Sequence, residues 1–160
     1  GRPDEAADRL LSVVDFLSER PSFANFRQSA NIGLGLVALA QGQLDNAETL
    51  LEEALADPLN LFPSIYIRAL LGLARINALR GRRAAGNRYL RRALTFSGKR
   101  SLLEEYIAAI QELVRVQPDE APITELIRSV LDYTEAIQLE TPSQLLRDAL
   151  RRSNTARQLR

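Results

Sequence analysis

Apolar residues recur at every third or fourth position along most of the chain, which is the spacing of amphipathic helices. Prolines, glycines and capping sequences divide this pattern into segments. The predicted helices cover Asp4–Glu19, Ala24–Gln41, Leu44–Ala56, Ser64–Arg80 and Arg82–Phe96, followed by helices that begin near Ser101, Pro122 and Thr141. Gly98 is expected to close the fifth helix, and the polar tail from Ser153 is expected to fray.

Two capping sequences fix the starts of later helices in this prediction. Ser101 is followed three residues later by Glu104, which forms a capping box at the start of the sixth helix. Thr141–Pro142–Ser143–Gln144 forms a second one, with Pro142 at the first helical position of the eighth helix.

Two segments of the pattern repeat one another at a distance of 39 residues. The matching pairs are Leu34/Leu73, Gly35/Ala74, Gly42/Gly81, Ala47/Gly86, Leu51/Leu90, Ala54/Ala93 and Leu55/Leu94. A fixed period of this size is typical of stacked helix hairpins. Gly42 and Gly81 are expected to end the first helix of each hairpin in the left-handed conformation, which glycine adopts at little cost. The other small residues allow two antiparallel helices to approach closely, and the leucines fill the seam between them.

The first helix carries part of the same pattern. Ala7, Leu11 and Val14 have the spacing of the seam residues that follow 40 positions later. We therefore expect this helix to be the second helix of a preceding hairpin. The alternative is an ordinary amphipathic helix without that relation.

The repeated unit resembles the tetratricopeptide repeat, a helix hairpin with small residues at two facing points, a glycine in the turn and a proline after the second helix. The matching residues are Gly35, Gly42, Ala47, Leu51, Ala54 and Pro58 in the first copy and Ala74, Gly81, Leu90 and Ala93 in the second. Two positions depart from the family pattern. Gly86 replaces the usual alanine, and Gly98 stands where the proline would be.

The period of 39 residues is longer than the roughly 34 of the ordinary repeat, because the first helix of each hairpin is longer. This longer unit resembles the repeats in the sensor region of large ATP-dependent LuxR-type transcription regulators. The resemblance implies an all-α, right-handed superhelix of stacked antiparallel hairpins with about seven or eight helices. We expect one domain over residues 1–160, with repeat copies at about 24–57 and 63–98 and degenerate flanking helices at 4–20 and 101–153.

The composition argues against an enzyme. The chain contains no cysteine and no histidine, which removes thiolate metal sites and the commonest general base and metal ligand. Gly81–Gly86 lacks the lysine and the serine or threonine of a phosphate-binding loop. Glu52–Glu53 and Glu104–Glu105 are adjacent pairs whose side chains diverge around a helix. We expect no catalytic residue, metal or cofactor.

No apolar run reaches the roughly 18 residues that a membrane span requires. We therefore expect no membrane insertion and a cytoplasmic location. The chain begins at Gly1 without an initiator methionine, so we expect it to be an excised part of a larger protein.

Charge is distributed unevenly along the chain, although the net charge is only +1. Residues 1–57 hold 4 basic and 10 acidic side chains, a charge of −6. Residues 58–103 hold 10 basic side chains and no acidic ones, and residues 104–160 hold 7 basic and 10 acidic ones. An entirely basic window of this length indicates a charged surface with a function or with an acidic neighbour.

The resemblance places a binding groove along the first helix of each hairpin. Its predicted lining is Ile32, Leu36, Leu39, Arg68, Leu71 and Arg75. An extended or helical peptide with one or two carboxylates would fit such a groove, with apolar anchors providing affinity. The alternative is that the leucines pack against neighbouring helices and the two arginines are solvated.

A second predicted site is a basic docking patch, formed by Arg82, Arg83, Arg88, Arg91, Arg92, Lys99 and Arg100. Three interpretations remain open: charge balance against the neighbouring acidic helices, docking of an acidic protein that includes another copy of this chain, or binding of nucleic acid. Aromatic residues near the patch are few, which makes nucleic acid the least favoured.

The sequence therefore predicts a scaffold that binds a protein or peptide with acidic groups. The resemblance adds the expectation that it is the sensing or docking segment of a transcription regulator. The alternatives are nucleic-acid binding through the basic helix at 82–100 and small-ligand sensing in the groove.

Overall fold

The computed structural model describes residues 2–56, 61–99, 103–116, 124, 127–128, 130–132 and 140–158. The α-helices whose bounds lie in these residues are α1 Pro3–Ser18, α2 Ala24–Ala40, α3 Leu44–Leu55, α4 Pro63–Leu79, α5 Arg83–Lys99, α6 Leu103–Val116 and α7 Glu140–Gln158. Residues 124, 127–128 and 130–132 are helical as well, and no strand occurs in the described part of the chain. The predicted all-α class and the number of helices are confirmed.

Three predicted boundaries in the second half are wrong. Gly98 does not end α5, which continues through Lys99. The helix tolerates an interior glycine at a cost of about 1 kcal/mol. Pro142 lies within the first turn of α7, because that helix begins at Glu140. Proline is accepted there since backbone N–H groups of the first turn have no partner within the helix.

The polar tail does not fray at Ser153. Helix α7 continues to Gln158, and the Ser153 hydroxyl is buried 3.1 Å from the Thr124 hydroxyl. The predicted capping box at Ser101 lies outside the described residues.

The chain divides into two compact units, one up to Tyr89 and one from Leu90 onward. In the first unit, α2 contacts α1, α3 and α4, and α3 also contacts α4. Its core is built mainly from α4, whose Ile67, Leu70, Leu73 and Ile76 are almost completely buried.

In the second unit, α6 contacts α7. The core side chains are apolar and come from α6, the helical residues near 130 and α7: Ile107, Ile110, Val114, Ile127, Leu131, Leu146 and Ala149.

The two turns of the first unit have the same backbone structure. Gly42 and Gly81 both adopt positive φ angles, 78° and 70°, which confirms the left-handed conformation predicted for them. At the first turn, the Gln43 N–H donates to the Ala38 carbonyl over 2.9 Å and the Gly42 N–H donates to the Leu39 carbonyl over 3.1 Å. The turn at Gly81 repeats both bonds at equivalent positions, over 2.8 and 3.0 Å. This pair of bonds is the Schellman motif, which satisfies carbonyl groups at a helix end.

Leu51 of α3 holds three helices at a fixed separation. Its side chain is completely buried. A Cβ atom at Gly35 of α2 would lie 2.9 Å from the Leu51 Cγ and Cδ2 atoms, and one at Gly72 of α4 would lie 2.8 Å from its Cδ1 atom. Both distances are shorter than carbon atoms tolerate. Leu51 therefore fits only because both neighbouring helices present glycine.

The contact between α1 and α2 follows the same principle and corrects the predicted register of α1. A Cβ atom at Gly33 would lie 3.0 Å from the Leu10 Cδ1 atom. Gly33 precedes Gly72 by 39 residues, and Leu10 precedes Leu51 by 41. Leu11, which was predicted for the seam, is 49% exposed. Helix α1 thus packs on α2 as α3 packs on α4, with its pattern shifted by one residue from the prediction.

Candidate functional site

The predicted groove residues divide into an exposed group on α4 and a packed group on α2. Arg68 and Arg75 are exposed and Leu71 is half-buried on the same face of α4. On α2, Leu36 and Leu39 are half-buried and approach α4, with their Cδ2 atoms 3.0 and 4.0 Å from the position of a Cβ at Gly72. These two leucines therefore contribute to the packing between α2 and α4.

Ile32 is the groove residue that the structure contradicts. Its side chain is only 1% exposed, so it belongs to the core of the first unit and offers no surface to a partner. Helix α2 is covered by α1, α3 and α4, and a residue facing any of them is removed from solvent.

Arg68 and Arg75 have no acidic neighbour. Among the described residues, neither guanidinium makes a hydrogen bond or an ion pair. Leu79 continues their face of α4 by one turn and is 62% exposed. This face therefore combines two unneutralised cations with exposed apolar surface.

The arginines around the second turn are neutralised by α3. Arg80 forms ion pairs with both Asp45 and Glu48, and Arg82 lies 3.5 Å from Glu48. The Arg80 side chain is only 16% exposed. At this end of the basic window, the charge-balance interpretation holds.

The remaining residues of the predicted basic patch lie on α5. Arg83, Arg88 and Arg91 are exposed and have no partner in the described part of the chain. Arg92 is exposed as well and takes part in an interaction. The Lys99 side chain and Arg100 lie outside the described residues.

A row of three phenylalanines, which the sequence analysis did not identify, forms the most distinctive surface of the first unit. The Phe26 ring lies 6.1 Å from Phe23 and 5.6 Å from Phe62, measured between centroids, and meets Phe62 edge to face. Their exposed fractions are 45% for Phe23, 49% for Phe26 and 43% for Phe62. We call Phe23, Phe26 and Phe62 the phenylalanine row. Half-exposed aromatic residues in contact are unusual on a monomer surface and mark interaction sites.

Two cavities flank the phenylalanine row. One has a volume of about 450 Å³ and is lined almost entirely by apolar side chains, namely Leu10, Val13, Leu17, Phe23, Phe26, Ser29 and Ala30. The other has a volume of about 440 Å³ and lies where the 3-10 turn Pro21–Phe23 meets the start of α4. Each volume is large enough for an apolar side chain of a partner, and small-molecule sites fall in the same range.

The repeat explains why the row forms. Phe23 is the residue before α2 and Phe62 is the residue before α4, and the two are 39 positions apart. Because α2 and α4 pack together as equivalent helices, the residues at their N-terminal ends come close together, and Phe26 joins them. A search for equal aromatic residues at the repeat distance would have found this pair.

Chemistry other than binding has little basis in the described residues. They contain no group of three side chains that could hold a metal ion. They also include no helix long and apolar enough to cross a membrane.

Comparison with known proteins gives no matching family model, no matching curated protein and no matching solved structure. The case for a function therefore depends on the residues and the geometry of this chain.

Proposed function

We propose that this chain is a protein-binding scaffold of the tetratricopeptide type and that the phenylalanine row is its principal contact surface. The observation that carries the proposal is the row itself: three touching, half-exposed rings between two cavities of about 450 and 440 Å³. The partner would insert apolar side chains into the cavities and cover the rings.

Aromatic rings suit this role for two physical reasons. They bury a large apolar area at a low cost in side-chain entropy, and they dominate the energetics of known interfaces. The rings of the row are also held by contacts with one another, so little further ordering is needed when a partner binds.

The structure favours a protein partner over nucleic acid. Single-stranded nucleic acid is bound by exposed aromatic rings interleaved with cations. Here the exposed row lies at the starts of α2 and α4, whereas Arg80 and Arg82 are engaged by carboxylates of α3. The resemblance to LuxR-type regulators further suggests a docking segment within a cytoplasmic transcription regulator.

The test is selection of a phage-displayed peptide library on the wild-type chain, followed by fluorescence anisotropy with an enriched peptide. Phe26→Ala removes the central ring, and Leu145→Ala, at an exposed leucine of α7, serves as the matched control. We expect Phe26→Ala to weaken binding by about tenfold or more, as removal of an aromatic anchor does at other interfaces, and Leu145→Ala to have no effect.

Circular dichroism must show that both variants keep the helical content of the wild type. Equal affinity for wild type and Phe26→Ala would exclude the row as the contact surface. Failure to enrich any peptide would argue against a peptide-binding scaffold altogether.

A further inference from the structure

Two exposed helix faces of the first unit have the same residue spacing and opposite charge. On α4, Arg68, Leu71, Arg75 and Leu79 follow one another at intervals of three, four and four residues. On α1, Asp8, Leu11, Asp15 and Glu19 follow at the same intervals, with Glu19 immediately after the last residue of the helix. We call these the basic row and the acidic row. At 3.6 residues per turn, each row forms one nearly straight line along its helix.

Both rows are open to solvent. All three acidic side chains of the acidic row and both arginines of the basic row are exposed, Leu11 is 49% exposed and Leu79 is 62% exposed. Within the described residues, the Asp8, Asp15 and Glu19 carboxylates make no hydrogen bond or ion pair. The same holds for the Arg68 and Arg75 guanidinium groups in the described part of the chain.

The acidic residues of α3 do not compete for the basic row. Asp45 and Glu48 are held by Arg80, and Glu52 accepts a hydrogen bond over 3.4 Å from the Tyr89 hydroxyl. In the first unit, the acidic row is therefore the helical line of carboxylates that remains available to an external cation.

We propose that the basic row of one copy of this chain binds the acidic row of a second copy. Arg68 and Arg75 are about 10.5 Å apart along their helix axis, and so are Asp8 and Asp15, because each pair is separated by seven residues of 1.5 Å rise. Leu71 would meet Leu11 between the two charge pairs. The two rows do not meet within one chain, since α1 packs on α2 and its acidic row faces solvent.

The charge pairs would set the register, and the leucines would supply buried apolar area. The interface joins two different surfaces, so two copies can close into a dimer or continue into a longer assembly. This proposal uses residues other than the phenylalanine row and is independent of the proposed function.

Sedimentation velocity over a concentration series tests it. We expect the wild type to associate, and its association to weaken as salt is raised from about 0.05 to 0.5 M, because exposed ion pairs are screened. Arg68→Glu with Arg75→Glu should raise the dissociation constant by about tenfold or more, because like charges then face one another. Asp8→Lys with Asp15→Lys should do the same.

Charge reversal gives the decisive control. A chain that carries all four substitutions has complementary rows again and should recover association, as should an equimolar mixture of the two double variants. Arg83→Glu with Arg88→Glu makes the same change in net charge on α5 and should leave association unchanged.

Three results would overturn the proposal: a wild type that stays monomeric to about 1 mM, which is the range of very weak complexes; association that the double variants do not alter; or a quadruple variant that stays monomeric. Peptide binding at the phenylalanine row can succeed or fail separately in each of these cases, so the two proposals are distinguishable.

Discussion

The two turns of the first unit have the same backbone and different surroundings. Both are closed by a glycine with positive φ and by the same pair of hydrogen bonds. At the helix end before the first turn, the Gln41 amide donates to Asp4 over 2.7 Å. At the equivalent position of the second turn, Arg80 forms ion pairs with Asp45 and Glu48.

This comparison separates what the repeat specifies from what it leaves free. In each hairpin, the side chain at the end of the first helix reaches an aspartate on the preceding helix, 41 residues apart in the two copies. The geometry of stacking is thus common to both copies, while the charge at the contact belongs to one. We infer that positions within the repeat build the stack, and that partner choice depends on residues that differ between copies or lie outside the seam.

The strongest way to break the equivalence is to remove the side chain that spaces the helices. Leu51→Ala should reduce the free energy of unfolding by about 2–5 kcal/mol, because it leaves a cavity between two glycines that cannot fill it. Urea denaturation followed by circular dichroism measures the change. A loss below about 1 kcal/mol would show that α2 and α4 close over the space.

The turn glycines provide a sharper test, because the structure gives the two positions the same conformation. A Cβ atom at Gly42 or Gly81 would meet no atom within 4 Å, so only the backbone conformation opposes a substitution. Gly42→Ala and Gly81→Ala should each cost about 1–2 kcal/mol, which is the penalty of a left-handed L-residue. Clearly unequal losses in urea denaturation would mean that the two turns are not energetically equivalent.

The smallest effect is expected where the turns differ. Arg80→Ala should cost about 1 kcal/mol at low salt, and less at about 1 M salt, since one partner, Asp45, is fully exposed. Gln41→Ala should cost a few tenths of a kcal/mol with little dependence on salt, because a neutral amide is lost. Thermal unfolding at two salt concentrations distinguishes them. The same salt dependence for both variants would contradict this interpretation.

Sequence periodicity predicted most of the fold because helix ends and seams follow local rules. The first five helices begin and end within a few residues of their predicted bounds, since glycine and proline positions mark them. Periodicity was less successful for α1, where both Leu10 and Leu11 fit the apolar pattern. Only the partner surface, with Gly33 facing Leu10, determines which of the two is buried.

The candidate site was harder to predict because exposure depends on contacts between helices. Ile32 and Leu36 appear equivalent in a helical pattern, yet one is buried and the other lies at a half-buried contact. Phenylalanine in an amphipathic sequence normally indicates core, and nothing local distinguishes Phe26 from a core residue. The equal distance between Phe23 and Phe62 was available in the sequence, but its meaning requires the stacked arrangement.

The position of Leu51 between Gly35 and Gly72 also restricts the order in which this sequence can change. A larger residue at either glycine collides with a side chain that is itself confined from the opposite side. If Leu51 becomes smaller first, the same substitution enters vacated space. The three positions therefore form an epistatic set, in which a replacement harmful in the present background becomes acceptable after a change on another helix. Homologous sequences should vary at these sites together, and designed libraries should randomise them jointly.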